Sequence, residues 1–429
     1  MSLAVFLISF ALLFLLGMPI AVSMLTSSLI YCVMNNINLA MMGTQMFTGL
    51  NNFALIAIPM FILCAEVMNR TSVADRIFKF CNDLVGYIPG GMGHVNCATS
   101  IIFAGMSGSA VADAGGIGHL SYRAMVDEGF DKEFSAAVTI ASSTVGPIIP
   151  PSIPAVVYAM VANVSVGKLL MAGVAPGFLM GLTMMVFCYL ISLKRGYPCR
   201  KWVGWRVFLR DLLFSFLRSL LPMLTPVILL GGIYLGVVTT TEASAVAVLY
   251  ALFLGVVLYR TMSLKDFVGS LKSVFVACGS VLLVIPAAKV FSFVMTKENL
   301  QTAIYNLIIG FAGDSSVIII ACIMLLFIAL GCLSDPNVNI MVFVPMVLPL
   351  IAKAGLDPIH AGIIIIINAM IGNITPPVGV VLMTTCSLEK LKIEDVCKEL
   401  WPWIVLLFGF LVFLIACPQV VMFLPNMIG

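Results

Sequence analysis

Charge is scarce in this chain. Only 10% of its 429 residues are Asp, Glu, Lys or Arg, against 62% hydrophobic, and its mean hydropathy is +1.15. A soluble domain carries about 25% charged residues, so that class is excluded and the chain belongs in lipid. The formal charge of +3 is too small to suggest a nucleic-acid partner. The three histidines, His94, His119 and His360, are isolated and read as structural. The twelve cysteines include no C-x-x-C pair and fall mostly in apolar runs, so they read as small hydrophobes rather than a disulfide framework or metal site. No ATP-binding motif is present. No basic segment precedes the apolar run that begins at Ser2, which argues against a cleaved signal peptide and for a first membrane span.

What is present is apolar sequence in runs near or above the ~20 residues that cross a bilayer. They recur along the whole length, so residues 1–429 read as a single all-α polytopic membrane domain. In order, the sequence predicts a span over 2–33 interrupted at Gly17-Met18-Pro19, a polar, Asn-rich loop over 34–52, a second span over 53–69 and an amphipathic surface arm over 70–88. Further spans are expected at 168–193, 213–235, 241–260, 273–297 and 399–424.

One stretch occurs twice. Gly105-Met106-Ser107-Gly108-Ser109-Ala110 is followed by Gly146-Pro147-Ile148-Ile149-Pro150-Pro151, and a shift of 226 residues lands on Gly331-Cys332-Leu333-Ser334-Asp335-Pro336 and Gly372-Asn373-Ile374-Thr375-Pro376-Pro377. Gly129 and Asp131 fall on Gly355 and Asp357 in the same register. Breakers inside apolar runs, in matching positions of two halves, point to a transporter site at a repeat interface. Broken backbone is tolerated at membrane depth only where protein or a water-filled cavity covers it. Residues 91–126 and 315–354 are therefore expected to be re-entrant hairpins, and 132–163 and 358–386 broken helices. Repeat one covers about 1–193, a linker and extra helix 194–235, and repeat two about 236–429.

Basic residues orient the chain. With the N-terminus in the cytoplasm and both hairpins non-crossing, eighteen Lys and Arg fall on the cytoplasmic side, including Arg70, Arg123 and the cluster from Lys194 to Arg218. That is the positive-inside pattern, and it puts the C-terminus in the periplasm. Five crossings then separate the two motif copies, so the repeats are inverted and the hairpin tips meet near the midplane.

At those tips proline frees backbone carbonyls and glycine lets chains approach, giving a cage of neutral oxygens suited to a hard monovalent cation. Opposed helix N-termini suit an anionic substrate group. The first copy offers Ser107, Ser109, Ser142, Ser143 and carbonyls around Gly146 and Pro150, with no carboxylate nearer than Asp113, so sodium fits better than a proton. The second offers Asp335, Asn337, Asn339, Asn373 and Thr375, which leaves proton coupling at Asp335 open.

The runs from Gly90 to Asn96, Phe103 to Ala114 and Gly236 to Ala243 resemble the large membrane subunit of tripartite ATP-independent periplasmic (TRAP) transporters over the whole chain; Thr240 stands where that family usually has Pro. The resemblance implies sodium-driven import of an organic acid, such as a dicarboxylate, sialic acid or other sugar acid, across the bacterial inner membrane. It implies an elevator-type fold like that of the ion-transporter superfamily, a small four-helix membrane subunit and a periplasmic substrate-binding protein as partners. Carried over by motif, one sodium site comprises Ser107, Ser109, Gly146, Ile149 and Pro150, and the other Gly331, Ser334, Asp335, Gly372, Thr375 and Pro376. Ser107, Ser109, Asn339 and Asn373 are the substrate-binding candidates.

Plainer readings stand beside these. Gly105 and Gly331 equally fit close helix packing, and Asp131, Asp357 and Glu242 fit helix caps. Asp113 is an intramembrane acid, a functional candidate by default, while Glu66 and Lys289 fit a pair or snorkelling side chains. Gly105-Met106-Ser107-Gly108 also matches the short pattern around an intramembrane protease serine, which needs a histidine to activate it. A channel is the third class, and it would need a continuous pore.

Overall fold

The computed structural model describes residues 2–313 and 315–427, so positions 1, 314 and 428–429 of the expected domain lie outside the described residues. The described residues form helices and turns. The first group is α1 (Ser2–Leu15), α2 (Ile20–Met34), α3 (Ala40–Leu50), α4 (Ala57–Arg70) and α5 (Val73–Val85). Then come α6 (Gly91–Ser107), α7 (Ala110–Asp113), a π-helical turn at Ala114–Gly118, α8 (His119–Asp127), α9 (Lys132–Ser143), α10 (Ile153–Ala162) and α11 (Val166–Arg195). The middle of the chain is α12 (Trp205–Tyr234), α13 (Thr240–Leu252), α14 (Leu264–Lys297) and α15 (Leu300–Ala312). The last group is α16 (Ser316–Gly331), α17 (Pro336–Lys353), α18 (Pro358–Ile374), α19 (Val380–Glu389), α20 (Ile393–Ala416) and α21 (Pro418–Met422). Seven helical stretches among the described residues are long and apolar enough to cross a bilayer.

The 226-residue register reaches well beyond the two motifs. Carried forward by that offset, α5 falls on α15, α6 on α16, α7 and α8 on α17, α9 on α18, α10 on α19 and α11 on α20. Helix α6 packs on α7 and α8, and α16 packs on α17, so each pair folds back on itself. Non-helical stretches at 144–152 and 375–379 separate α9 from α10 and α18 from α19, and both Pro150-Pro151 and Pro376-Pro377 bonds are cis.

Three sequence expectations need correction. Residues 2–33 do not form one rod: α1 and α2 turn back at Gly17–Pro19 and pack on each other. The Ser2 hydroxyl and the Tyr31 hydroxyl both donate to Glu298, so the N-terminus lies at the same end as residue 34 instead of across from it. Residues 40–50, expected as loop, form α3 packed on α14, and α15 occupies a stretch assigned to no element.

Packing sorts the helices into two groups. Helices α1–α4 and α12–α14 form a frame in which α14 contacts α2, α3 and α4, while α13 packs on α4. The hairpins and broken helices form a body in which the two halves interlock, α10 on α17, α9 on α20 and α11 on α18. Lipid is as apolar as leucine, so such contacts depend on close packing and satisfied polar groups rather than on exclusion of water. Trp403 is fully buried and meets Phe187 edge-on at 5.0 Å, which ties α20 to α11. Buried hydroxyls return to their own helix: Ser28 donates to Met24 O at 2.7 Å and Ser143 to Ile140 O at 2.8 Å.

The helix ends follow local rules. Asp357 caps α18, accepting from Ile359 N at 2.8 Å, and Thr239 and Glu242 form a capping box on α13. Asp131 sits at the start of α9, but its carboxylate accepts from the Tyr197 hydroxyl instead of capping. Glu66 pairs with Arg70 at 2.8 Å and not with Lys289, whose stem lies against Gly49.

Arm α5 is strongly one-sided and packs on α6 and α12. It is fastened to the basic loop by Arg200, whose Nη1 lies 2.7 Å from Oδ1 of the buried Asp83, while its backbone N–H donates to Gly86 O at 3.0 Å. Arg200→Gln leaves Asp83 buried without its cation. It should lower unfolding free energy by about 2 kcal/mol, below the ~3–5 of a fully enclosed pair because Arg200 keeps some water; denaturant titration in detergent checks this.

Candidate functional site

Each hairpin tip is built by residues that cannot continue a helix. At the first, Gly108 takes φ +64, and Ser109 then caps α7, its hydroxyl accepting from Ala112 N at 3.4 Å. A Cβ on Gly108 would collide with the carbonyl oxygen of Pro151, so the tip lies directly on the broken loop of the same half. At the second tip Asp335 caps α17, accepting from Asn337 N at 2.8 Å and from its side-chain amide at 2.9 Å. Gly379 N–H donates to Cys332 O at 3.2 Å, so this tip too is laced to its broken loop.

The two halves meet at one cavity of about 40 Å³. Its wall includes Ser109 and Pro147 from the first copy and Asp335, Asn337 and Asn373 from the second. That volume holds a water or an ion, which needs ~10–15 Å³, and is far below a ligand pocket of ~300 Å³. A second cavity of about 150 Å³ lies between α10 and α17 of the body and α2 and α14 of the frame, lined mostly by Ile20, Val157, Val281, Ile285 and Met341. Asp335 and Asn337 border both chambers.

Around Gly146 the oxygens converge. A Cβ there would lie 3.2 Å from Ser143 O, 3.4 Å from Ser109 O and 3.5 Å from Ser107 Oγ. Ser107 is buried and its hydroxyl has no hydrogen-bond partner among the described residues. A buried hydroxyl left open costs ~1–3 kcal/mol, so a ligand that it could serve is the economical explanation. Pro150 carries the cis bond that turns this loop, and the Ile149 side chain packs against Gly177 of α11. The residues present therefore fit a small cation held by a hydroxyl and carbonyls, with Ser107, Ser109 and Gly146 nearest to it.

The second copy is arranged differently. Gly331 and Gly372 face each other where α16 crosses α18, with a Cβ on Gly372 falling 2.7 Å from Gly331 Cα. Both are packing residues that set how closely hairpin and broken helix approach. The Ser334 hydroxyl is shared between Leu330 O at 3.2 Å and the Asn339 side-chain oxygen, and the residues lining the cavity do not include Ser334 or Asn339. Thr375 donates back to Ile371 O at 2.6 Å, and Asn373 Oδ1 accepts from Val380 N at 3.2 Å. Pro376 carries the cis bond of this loop. The carbonyls of Asn373 and Thr375 converge near Gly379, within 3.1 and 3.0 Å of where its Cβ would be. Sequence reading missed Gly379 because the register pairs it with Ile153, which is no glycine.

Of the other candidates, Ser142 and Ser143 spend their hydroxyls away from Gly146. Ser142 donates to Asn96 Oδ1 at 3.2 Å and accepts from Ser100, within a buried set that includes Asn96 and Thr139. Asp113 is fully buried, and among the described residues neither carboxylate oxygen has a partner within hydrogen-bonding geometry. Gly105 faces Pro226 of α12 and is a packing residue. The histidines are occupied elsewhere: His94 Nε2 donates to Pro89 O, His119 contacts Glu389, and His360 Nε2 donates to Leu414 O. Among the described residues no histidine hydrogen-bonds Ser107, so it lacks the base a serine nucleophile requires.

The family described as "Tripartite ATP-independent periplasmic transporter, DctM component" matches residues 7–420. The sialic acid TRAP transporter large permease protein SiaM of Vibrio cholerae is 37% identical over 96% of this chain and 95% of its own length. The C4-dicarboxylate TRAP transporter large permease protein DctM of Rhodobacter capsulatus is 32% identical over 97% of each. Among solved structures, the YdaH transporter of Alcanivorax borkumensis superposes with a TM-score of 0.61 over 88% of both chains at 12% identity, a likeness of fold alone. With a family match across nearly its whole length, this multi-pass inner-membrane chain is a transport permease and not an enzyme, and it belongs to the DctM family, the large permease component of TRAP transporters.

Proposed function

We propose that the chain imports a small organic acid with sodium, receiving it from a periplasmic binding protein and working with a small four-helix membrane subunit. The observation that carries the ion assignment is the unpartnered Ser107 hydroxyl beside the oxygens gathered at Gly146. These are neutral ligands, which suit a monovalent cation and offer a proton no titrating group. Sodium bound there, with a second ion near Thr375, Asn373 and Asp335, would offset the Asp335 charge beside which an anionic substrate must pass. The relatives' names cover sialic acid and C4-dicarboxylates, and we take a carboxylate-bearing solute of that range as the substrate.

Neither central cavity admits such a solute. Substrate passage therefore requires the hairpin-bearing body to shift against the frame, and the apolar chamber between α14 and α17 is where the two would part. This is an elevator movement of inverted repeats with re-entrant hairpins. If the basic end of α4 and α5 is cytoplasmic, the α1–α2 fold-back supports a periplasmic N-terminus beside the periplasmic C-terminus.

The test is uptake into liposomes containing the permease, its small subunit and a binding protein, driven by a sodium gradient, a proton gradient or neither. Uptake is expected only with sodium. Full uptake from a proton gradient in sodium-free buffer would favour the second reading, proton coupling at Asp335, whose place on both cavities makes it the residue to examine.

A further inference from the structure

We propose that a pocket between arm α5 and α12 binds the phosphate of an anionic phospholipid, independently of how transport is driven. The pocket is a cavity of about 390 Å³ lined by Ser72, Asp75, Arg76, Lys79, Ser215 and Arg218. Three cations thus face one carboxylate. Elsewhere on this side arginines are paired: Arg70 with Glu66, Arg195 with Glu399, Arg200 with Asp83 and Arg210 with Asp211. Among the described residues no carboxylate lies within ion-pair distance of Arg76, Lys79 or Arg218.

Aromatic stacking holds the two guanidinium groups in place. Arg76 lies 3.9 Å over the Tyr259 ring and its Nε donates to Ser72 Oγ at 3.3 Å, while Arg218 lies 4.0 Å over Phe214. Stacking fixes the planes and leaves N–H edges available, the geometry in which arginine grips phosphate. The apolar surface beside the pocket selects a lipid over a soluble anion. Leu213, Phe214 and Leu217 of α12 are each more than half exposed around Arg218, giving acyl chains a track next to the cationic pocket. Basic pockets between membrane helices on the cytoplasmic side take headgroups in this way. A lipid there would brace α5, which packs on hairpin arm α6, against the frame helix α12.

The experiment is thermal unfolding of the purified full chain in neutral detergent, titrated with phosphatidylglycerol, phosphatidylcholine, glycerol phosphate or inorganic phosphate. Phosphatidylglycerol should raise the midpoint by roughly 3 °C or more, with little effect from the others. The Arg76→Gln/Arg218→Gln double variant should need at least about tenfold more of it for the same shift. Equal shifts from the two lipids, or an unchanged titration in the double variant, would overturn the proposal. A full shift from inorganic phosphate or glycerol phosphate alone would overturn the lipid assignment. Should the double variant not fold, native mass spectrometry of the parent and Lys79→Gln proteins from mixed micelles decides. Preferential retention of phosphatidylglycerol, weakened in Lys79→Gln, is expected, and equal retention of both lipids would overturn it.

Discussion

Replacing Gly372 by valine is expected to abolish uptake and to cost about 3 kcal/mol or more of stability. A Cβ at that position would sit 2.7 Å from Gly331 Cα and 3.0 Å from Ile328 O, and both neighbours are backbone with no side chain to swing aside. Helices α16 and α18 would have to separate, and the second tip would lift from its broken loop. Gly331→Val should behave alike, since its Cβ would fall 2.9 Å from Gly372 Cα. Gly129→Ala has no neighbour to strike, although its φ of +93 adds local strain, so it should be milder and act through the α8–α9 turn. Thermal unfolding in detergent and uptake in liposomes check the order. Equal stability of Gly372→Val and the parent would show that the two backbones are not in contact.

Ser107→Ala should leave folding nearly intact while reducing uptake at low sodium by roughly tenfold to a hundredfold. A hydrogen bond or ligand contact to a charged partner contributes ~1.5–3 kcal/mol, and the hydroxyl has no partner to lose among the described residues. The deficit should shrink as sodium rises, because weakened binding can be offset by concentration. Ser143→Ala is the control. Its hydroxyl is spent on Ile140 O, so only its backbone carbonyl faces Gly146 and the ion dependence should be unchanged. A Ser107→Ala protein with the parent's sodium dependence would remove this residue from the cage.

The contrast between these two serines shows where sequence reading succeeds and where it stops. Glycine, proline and paired prolines inside apolar runs are visible in sequence because nothing but a break explains them, and breaks in the helices lie at those residues. Which hydroxyl faces the break depends on χ angles and on the carbonyl one turn back, so Ser107, Ser142 and Ser143 look alike until helix packing separates them. The same limit applies to Gly331 and Gly372, whose close-packing role needs the partner helix to be known. Short helices hide for another reason. Asparagine and glycine around α3 read as loop because local propensity is weak, and packing on α14 overrides it. In repeat two the positions matching α3 and α4 run on as the single long α14, so symmetry alone did not reveal them. The fold-back of α1 on α2 was obscured by a Gly-x-Pro break that fits a kink as well as a reversal.

The most direct measurement is the unfolding midpoint of the purified permease in sodium, potassium and choline chlorides at one ionic strength, with no substrate or partner present. A ligand that binds the folded state at a hundred times its Kd stabilises it by about 2.7 kcal/mol. The expected result is a rise specific to sodium, saturable, and diminished in Ser107→Ala. Identical midpoints in the three salts across the titration would mean that no ion is held between the tips.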